Sequence, residues 1–277
     1  MKWRILRFLG RRKRYEWLFV VTYGRSGSTL VQGLLNALPR TLVRGENGFY
    51  PLGLFHAEHR GTDFARIHMN HEPRKSSSAF YGVQHLTPQA FARDARHFMT
   101  RLLLGTMPRP TLKRLGFKEV LWHEIAPEET EEFFAWFERV FPNAKYVLNT
   151  RDQEMASTSG FWQQQGKDAA LAAMARVVEI QEYLRTSRPD RVVDTRYEVV
   201  TGADKAASDA ELRKLATFVT GACDDALLSK LRGVLAVGHG PNPFGKSRKK
   251  PAAKKAAGNA KQPGSGATDG KKVAPKQ

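Results

Sequence analysis

Two kinds of segment alternate along this chain: short apolar runs and longer amphipathic stretches. Trp17–Thr22 (WLFVVT) is a short apolar run, the pattern of a parallel strand buried on both faces. Ser28–Leu38 then follows with helical spacing, and a second strand candidate leads into Glu46. Gly116–Trp122, Lys145–Thr150 and Val192–Tyr197 are further strand candidates, and helical patterns cover 88–105, 128–140, 152–187 and 209–232. The stretch EETEEFFAWFERV carries acids in its first turn and Arg139 in its last, matching the helix macrodipole. Residues 47–86 are rich in Gly, His and Pro without a clear period, and read as an irregular insertion over the sheet's edge. Alternation of this kind predicts an α/β fold, a parallel sheet flanked by helices on both faces in a single domain.

Composition narrows the class. The 277 residues, 41% hydrophobic and 10% aromatic, can build one large core. The one cysteine, Cys223, excludes an internal disulfide and a Cys-rich zinc site. The net charge of +18 is concentrated at the ends: residues 1–14 hold seven Lys or Arg and no acid, and residues 246–277 hold ten against Asp269 alone. That leaves 15–245 with only +2, so specific nucleic-acid binding is not expected. The chain divides into a basic N-terminal segment (1–14), a domain (15–245) and a Lys-rich tail (246–277) whose composition predicts disorder. The first segment reads as a solvated end, with weak contact to an anionic membrane surface as the alternative. No apolar run approaches the ~18–20 residues of a membrane span, and the expectation is a cytoplasmic protein, peripheral at a membrane at most.

The most informative stretch is Tyr23-Gly24-Arg25-Ser26-Gly27-Ser28-Thr29, directly after the first strand and opening the first helix. Small residues let consecutive backbone amides converge on an anion, and the helix N-terminus adds its positive end. Ser28 and Thr29 add hydroxyls, and Arg25 adds a planar fork of donors. A nucleoside triphosphatase would show G-x-x-x-x-G-K-[ST]. Here Ser28 follows Gly27 and the loop is one residue short, which disfavours ATP or GTP hydrolysis.

The run VVTYGRSGSTLVQGLLN resembles the 5′-phosphosulfate loop of sulfotransferases that use 3′-phosphoadenosine 5′-phosphosulfate (PAPS), a P-loop-like fold. Arg before Ser-Gly is similar to the carbohydrate and tyrosylprotein branches; the cytosolic aryl and steroid enzymes place Lys there. The resemblance implies a second motif, an Arg and a Ser eight positions apart that grip the 3′-phosphate. KYVLNTRDQEMASTSGFW supplies Arg151 and Ser159, with Asp152 also fitting. On one continuous helix these two would share a face, two turns apart, with Ser157 a competing donor on a different face.

For the acceptor proton, the resemblance implies a base in the Gly-Glu of VRGENGFY, hence Glu46, with Asn47 where the tyrosylprotein-like branch has a second acid. The alternative is a structural carboxylate paired with Arg25 or Arg44. Lys118 in GFKEVLW resembles the family's G-[FW]-K strand and is assigned charge stabilisation; strand alternation turns Glu119 to the other face. His123 is the second candidate base, or a surface histidine. Arg196-Tyr197-Glu198 resembles a family segment that organises the cofactor's surroundings, and Trp162 or Phe161 would meet adenine or pack in the core. Gly238–Pro243 would close over the nucleotide. The spacings of His56, His59, His68, His71 and His85 match no familiar metal pattern, so no metal is required.

The expectation is therefore a PAPS-dependent sulfotransferase. Arg25, Ser26, Gly27, Ser28, Thr29, Arg151 and Ser159 bind the cofactor, Glu46, Lys118 and Arg25 perform the transfer, and adenosine 3′,5′-bisphosphate is released. The acceptor would be a hydroxyl of a carbohydrate, glycolipid, small alcohol or peptide tyrosine. A nucleotide-dependent kinase with a degenerate loop and a noncatalytic polyanion- or membrane-binding module stay open as alternatives.

Overall fold

The computed structural model describes residues 15–106, 111–158 and 162–237. Five parallel strands, β1 (Glu16–Val21), β2 (Thr41–Arg44), β3 (Arg114–Glu119), β4 (Lys145–Thr150) and β5 (Val192–Arg196), form one sheet in the order β2-β3-β1-β4-β5. Ten α-helices accompany them among the described residues: α1 (Ser28–Ala37), α2 (Tyr50–His68), α3 (Pro88–Leu104), α4 (Thr130–Val140), α5 (Gln153–Ser157), α6 (Trp162–Gln165), α7 (Lys167–Ser187), α8 (Tyr197–Val200), α9 (Lys205–Thr220) and α10 (Asp225–Val237). The α/β reading holds. The basic segment 1–14 and the tail 246–277 lie outside the described residues.

Alternation along β1 divides the core in two. Trp17, Phe19 and Val21 join an aromatic cluster with Phe133, Phe134, Trp136 and Phe137 of α4 and residues of α2, α3 and α7. Leu18 and Val20 face α1, α9 and α10 on the other side. A β1 residue thus buries itself whichever way it points, which is why WLFVVT has no polar alternation. Phe19 lies 4.8 Å from the Phe117 ring and 4.7 Å from Phe137, centroid to centroid. Gly116 is required by a close approach, since a Cβ there would overlap the Leu18 carbonyl of β1.

Three expectations need correction. The segment 47–86 is not irregular throughout: α2 occupies 19 of its residues. Its buried stripe, Leu52, Phe55, Glu58 and Ala65, contains a charge and a small residue, so hydrophobic periodicity hides it. Glu58 is buried because Trp136 Nε1 (2.8 Å) and Arg139 Nη2 (2.6 Å) donate to its two oxygens. The predicted helix over 152–187 is interrupted and forms α5, α6 and α7, with Gly166 (φ 88°) heading the last. The pattern over 209–232 is two helices: Gly221 (φ 93°) ends α9, and Asp224 Oδ1 accepts from the Leu227 amide at the start of α10.

Truncating the centre of the aromatic cluster should be costly. Phe137→Ala is expected to lower unfolding free energy by about 3–5 kcal/mol, whereas Phe98→Ala, at a half-exposed ring, should cost under ~1 kcal/mol. Urea denaturation of the two variants checks this; equal losses would mean that the cluster is not the packing centre.

Candidate active site

All five strands run parallel, so their carboxyl ends lie on one edge of the sheet, and the chain's order reverses at β1. Ligands of open α/β sheets bind at that edge, beside such a switch point. The segments 22–28, 45–49, 120–125 and 151–158 leave β1 to β4 at this edge.

The loop after β1 contains two left-handed residues, Arg25 (φ 67°) and Gly27 (φ 78°). Four of its consecutive carbonyls are engaged by the protein. Trp162 Nε1 donates to Gly24 O (3.0 Å), Arg151 Nη1 to Arg25 O (3.1 Å), and Asn149 Nδ2 to Ser26 O (3.0 Å). Gly27 O accepts from the Leu30 amide (2.9 Å) inside α1. Gly27 is the N-cap of α1, and no side chain caps that end.

Beneath the loop lies a buried polar network. Thr22 Oγ1 donates to Asn149 O (2.8 Å) and lies 2.6 Å from Ser26 Oγ. Thr195 Oγ1 donates to Asn149 Oδ1 (3.0 Å), and Gln181 Nε2 to Val21 O (2.8 Å) and Asn149 O (3.3 Å). Thr22, Ser26, Asn149, Gln181 and Thr195 are all fully buried, so each bond replaces one that water would otherwise make. The Ser26 hydroxyl is therefore turned inward, whereas Arg25 and Thr29 are exposed. Sequence reasoning missed Asn149 and Gln181; a polar residue in an apolar strand was the available signal.

Arg151 sits at the end of β4 beside this loop. Its amide donates to the Tyr23 hydroxyl (2.9 Å), which donates to the Arg151 carbonyl. Burial pushes the Tyr23 phenol up, keeping it a donor there. The Arg151 guanidinium lies 4.5 Å from the Tyr197 ring centroid, a cation–π contact. Asp152 caps α5 by accepting from the Met155 amide (2.8 Å), and its own amide donates to Glu198 Oε1 (2.9 Å). Tyr197 and Glu198 thus meet the Arg151 guanidinium and the Asp152 amide at the end of β4. Ser159 and Phe161 lie outside the described residues, as do 238–243. Arg151 precedes α5, which runs from Gln153 to Ser157. Ser157 is buried and donates to Glu154 O (2.8 Å), and Trp162 is a core residue.

Glu46 follows β2 and pairs with Lys118, a buried side chain of β3. Arg44 donates instead to the carbonyls of Leu103 (2.8 Å) and Leu104 (3.3 Å). Glu119 faces the other side of β3 from Lys118, yet it too reaches the Glu46 loop, through the amides of Asn47 and Phe49. The Asn47 amide group, the Tyr50 hydroxyl and His123 Nδ1 are buried without a hydrogen-bond partner among the described residues. Burial pushes the Tyr50 phenol up to about 12, so it stays protonated at neutral pH. The other histidines have local partners: His56 meets Glu129 (3.2 Å), His59 meets Glu132 (3.1 Å), and His68 stacks on Phe80. Among the described residues no group of three or more His, Cys, Asp or Glu is placed to hold a metal ion.

The turn after β1 lies at the carboxyl edge of a parallel α/β sheet, where ligands of such folds bind. The family assignment agrees with it: residues 18–219 match the sulfotransferase family, and this chain belongs to that family. Among solved structures, the chain is similar to the sulfotransferase domain from the Synechococcus PCC 7002 olefin synthase. Sequence identity is 19%, coverage is 84% of this chain and 83% of that one, and the TM-score is 0.48. No curated protein sequence matches the chain. No described helix is long and apolar enough to cross a membrane.

The loop's shape makes a stability prediction. A Cβ on Gly27 would overlap the Tyr197 ring, in a backbone conformation that itself costs about 1 kcal/mol for a non-glycine residue. Gly27→Ala is expected to lose at least ~2 kcal/mol in wild type but only ~1 kcal/mol in a Tyr197→Ala background. A double-mutant cycle by thermal unfolding checks it; equal costs would remove the proposed contact.

Proposed function

We propose that this protein transfers a sulfuryl group from PAPS to a hydroxyl acceptor. The observation that carries the reading is the engagement of four consecutive loop carbonyls, 24 to 27, by the protein. With the carbonyls committed to the interior and α1 uncapped, the opposite edge of the loop and the first turn of α1 offer amides to an anion. Arg25, Ser26, Gly27, Ser28 and Thr29 would hold the 5′-phosphosulfate, and Arg151 with Ser159 the 3′-phosphate. The Tyr197 ring and the Arg25 carbonyl hold the Arg151 guanidinium beside that loop, a charge fixed in place by the protein.

PAPS supplies a sulfuryl group activated by its bond to the 5′-phosphate; that bond breaks as the acceptor oxygen bonds to sulfur, and the electron pair leaves on the phosphate. The protein's part is positioning and proton transfer. Glu46 takes the proton from the acceptor hydroxyl, while Lys118 meets one of its two carboxylate oxygens. Lys118 then stabilises negative charge on the leaving side, and Arg25 shares that role. The unpartnered Asn47, Tyr50 and His123 groups supply hydrogen-bonding positions for a polar acceptor such as a carbohydrate, glycolipid or small alcohol.

Ligand-induced thermal stabilisation tests the cofactor. Adenosine 3′,5′-bisphosphate is expected to raise the melting temperature, and ATP with Mg²⁺ is not. Arg151→Ala should weaken bisphosphate binding at least ~10-fold while barely affecting 5′-AMP, because it removes a charge-assisted contact to the 3′-phosphate. Equal weakening would remove that assignment, and a shift with ATP–Mg²⁺ alone would promote the kinase reading.

Turnover tests the base. With the acceptor returned by a screen of phenols, alkanols and saccharides, Glu46→Gln should leave bisphosphate affinity nearly intact and cut turnover at least ~100-fold. Unchanged turnover would return Glu46 to a structural ion pair.

A further inference from the structure

Glu119 is fully buried, and its carboxylate accepts four backbone amides. Oε2 takes Asn47 N (2.9 Å) and Phe49 N (3.1 Å); Oε1 takes Val120 N (2.7 Å) and Leu121 N (3.3 Å). A buried carboxylate is tolerated only when its lone pairs are satisfied, and here amide dipoles satisfy them. The residue is a node in the core as well, because its carbonyl accepts from Trp122 Nε1 (3.0 Å).

What the carboxylate holds is a strained turn. Gly48 (φ 67°) and Phe49 (φ 48°) are both left-handed, and for a phenylalanine that conformation persists only where the surroundings impose it. Two anchors impose it. The Phe49 ring is buried 4.8 Å from Trp122, and Glu119 ties down the amides on either side of Gly48. The turn begins immediately after Glu46, whose own carboxylate is held by Lys118. Neighbouring residues of β3 thus grip one loop from opposite faces of the sheet, one through a side chain and one through the backbone.

We infer that Glu119 is a positioning residue for Glu46, fixing the turn that presents the base at the carboxyl edge of β3. The inference rests on Glu46 being the base. Glu119 itself touches only backbone and the core, so its effect passes through the loop and not through substrate or cofactor.

The test is Glu119→Gln in the full chain, alone and combined with Glu46→Gln. Glutamine keeps the size but offers an NH₂ to amides that need an acceptor. Amides 46–50 should exchange hydrogen at least ~10-fold faster, and turnover should fall at least ~10-fold through misplacement of the base. Affinity for adenosine 3′,5′-bisphosphate should stay within roughly threefold, and in the Glu46→Gln background the second change should cost no further turnover. Unchanged exchange and turnover in Glu119→Gln would overturn the inference, as would an equal loss of turnover in both backgrounds. If Glu46→Gln alone keeps wild-type turnover, it is the base assignment that fails, whatever Glu119→Gln does. Should Glu119→Gln not fold, Glu119→Asp keeps the charge and the acceptor oxygens but draws them back from the Asn47 and Phe49 amides. The same selective loss of turnover is expected, and wild-type turnover there would overturn the inference.

Discussion

The site depends on how a short loop with two left-handed residues satisfies its carbonyls. A free peptide of this sequence would give both its donors and its acceptors to water. In the folded chain the carbonyls of residues 24 to 27 are taken, one each, by Trp162, Arg151, Asn149 and the first turn of α1. Those partners come from β4, the segment after it, and the helix that the loop itself begins. The loop is shaped by the sheet around it.

The buried network below the loop explains why an otherwise apolar strand carries Asn149. Its side chain meets Ser26 and Thr195, while its main chain meets Thr22 and Gln181. One residue therefore ties β1, β4, β5 and α7 to the loop. Buried hydrogen-bond networks of this kind favour one arrangement, because a shift leaves further buried groups unpaired. The aromatic cluster on one face and the aliphatic cluster on the other keep the sheet itself rigid.

The second half of the site follows a similar logic with a different group. At the loop after β2, donors rather than acceptors need partners, and a carboxylate provides them. The same loop also holds a carboxylate and an ammonium in contact, Glu46 with Lys118.

The sequence by itself determined the class of fold, the β4 boundaries at Lys145–Thr150, and the small-residue turn ahead of α1. It did so because burial inside a regular element leaves a local periodic record. It also indicated Glu46, Lys118 and Arg151 through motif order, and the fold brings Glu46 to Lys118 and Arg151 to the loop. Tertiary structure alone decided the rest. Helix α2 was hidden because Glu58 occupies its buried stripe, and that is tolerable only with Trp136 and Arg139 almost eighty residues away. Glu119 and Asn149 were silent for the same reason. A polar residue's role is set by its partner, and across 70 or more residues only the packed fold chooses that partner.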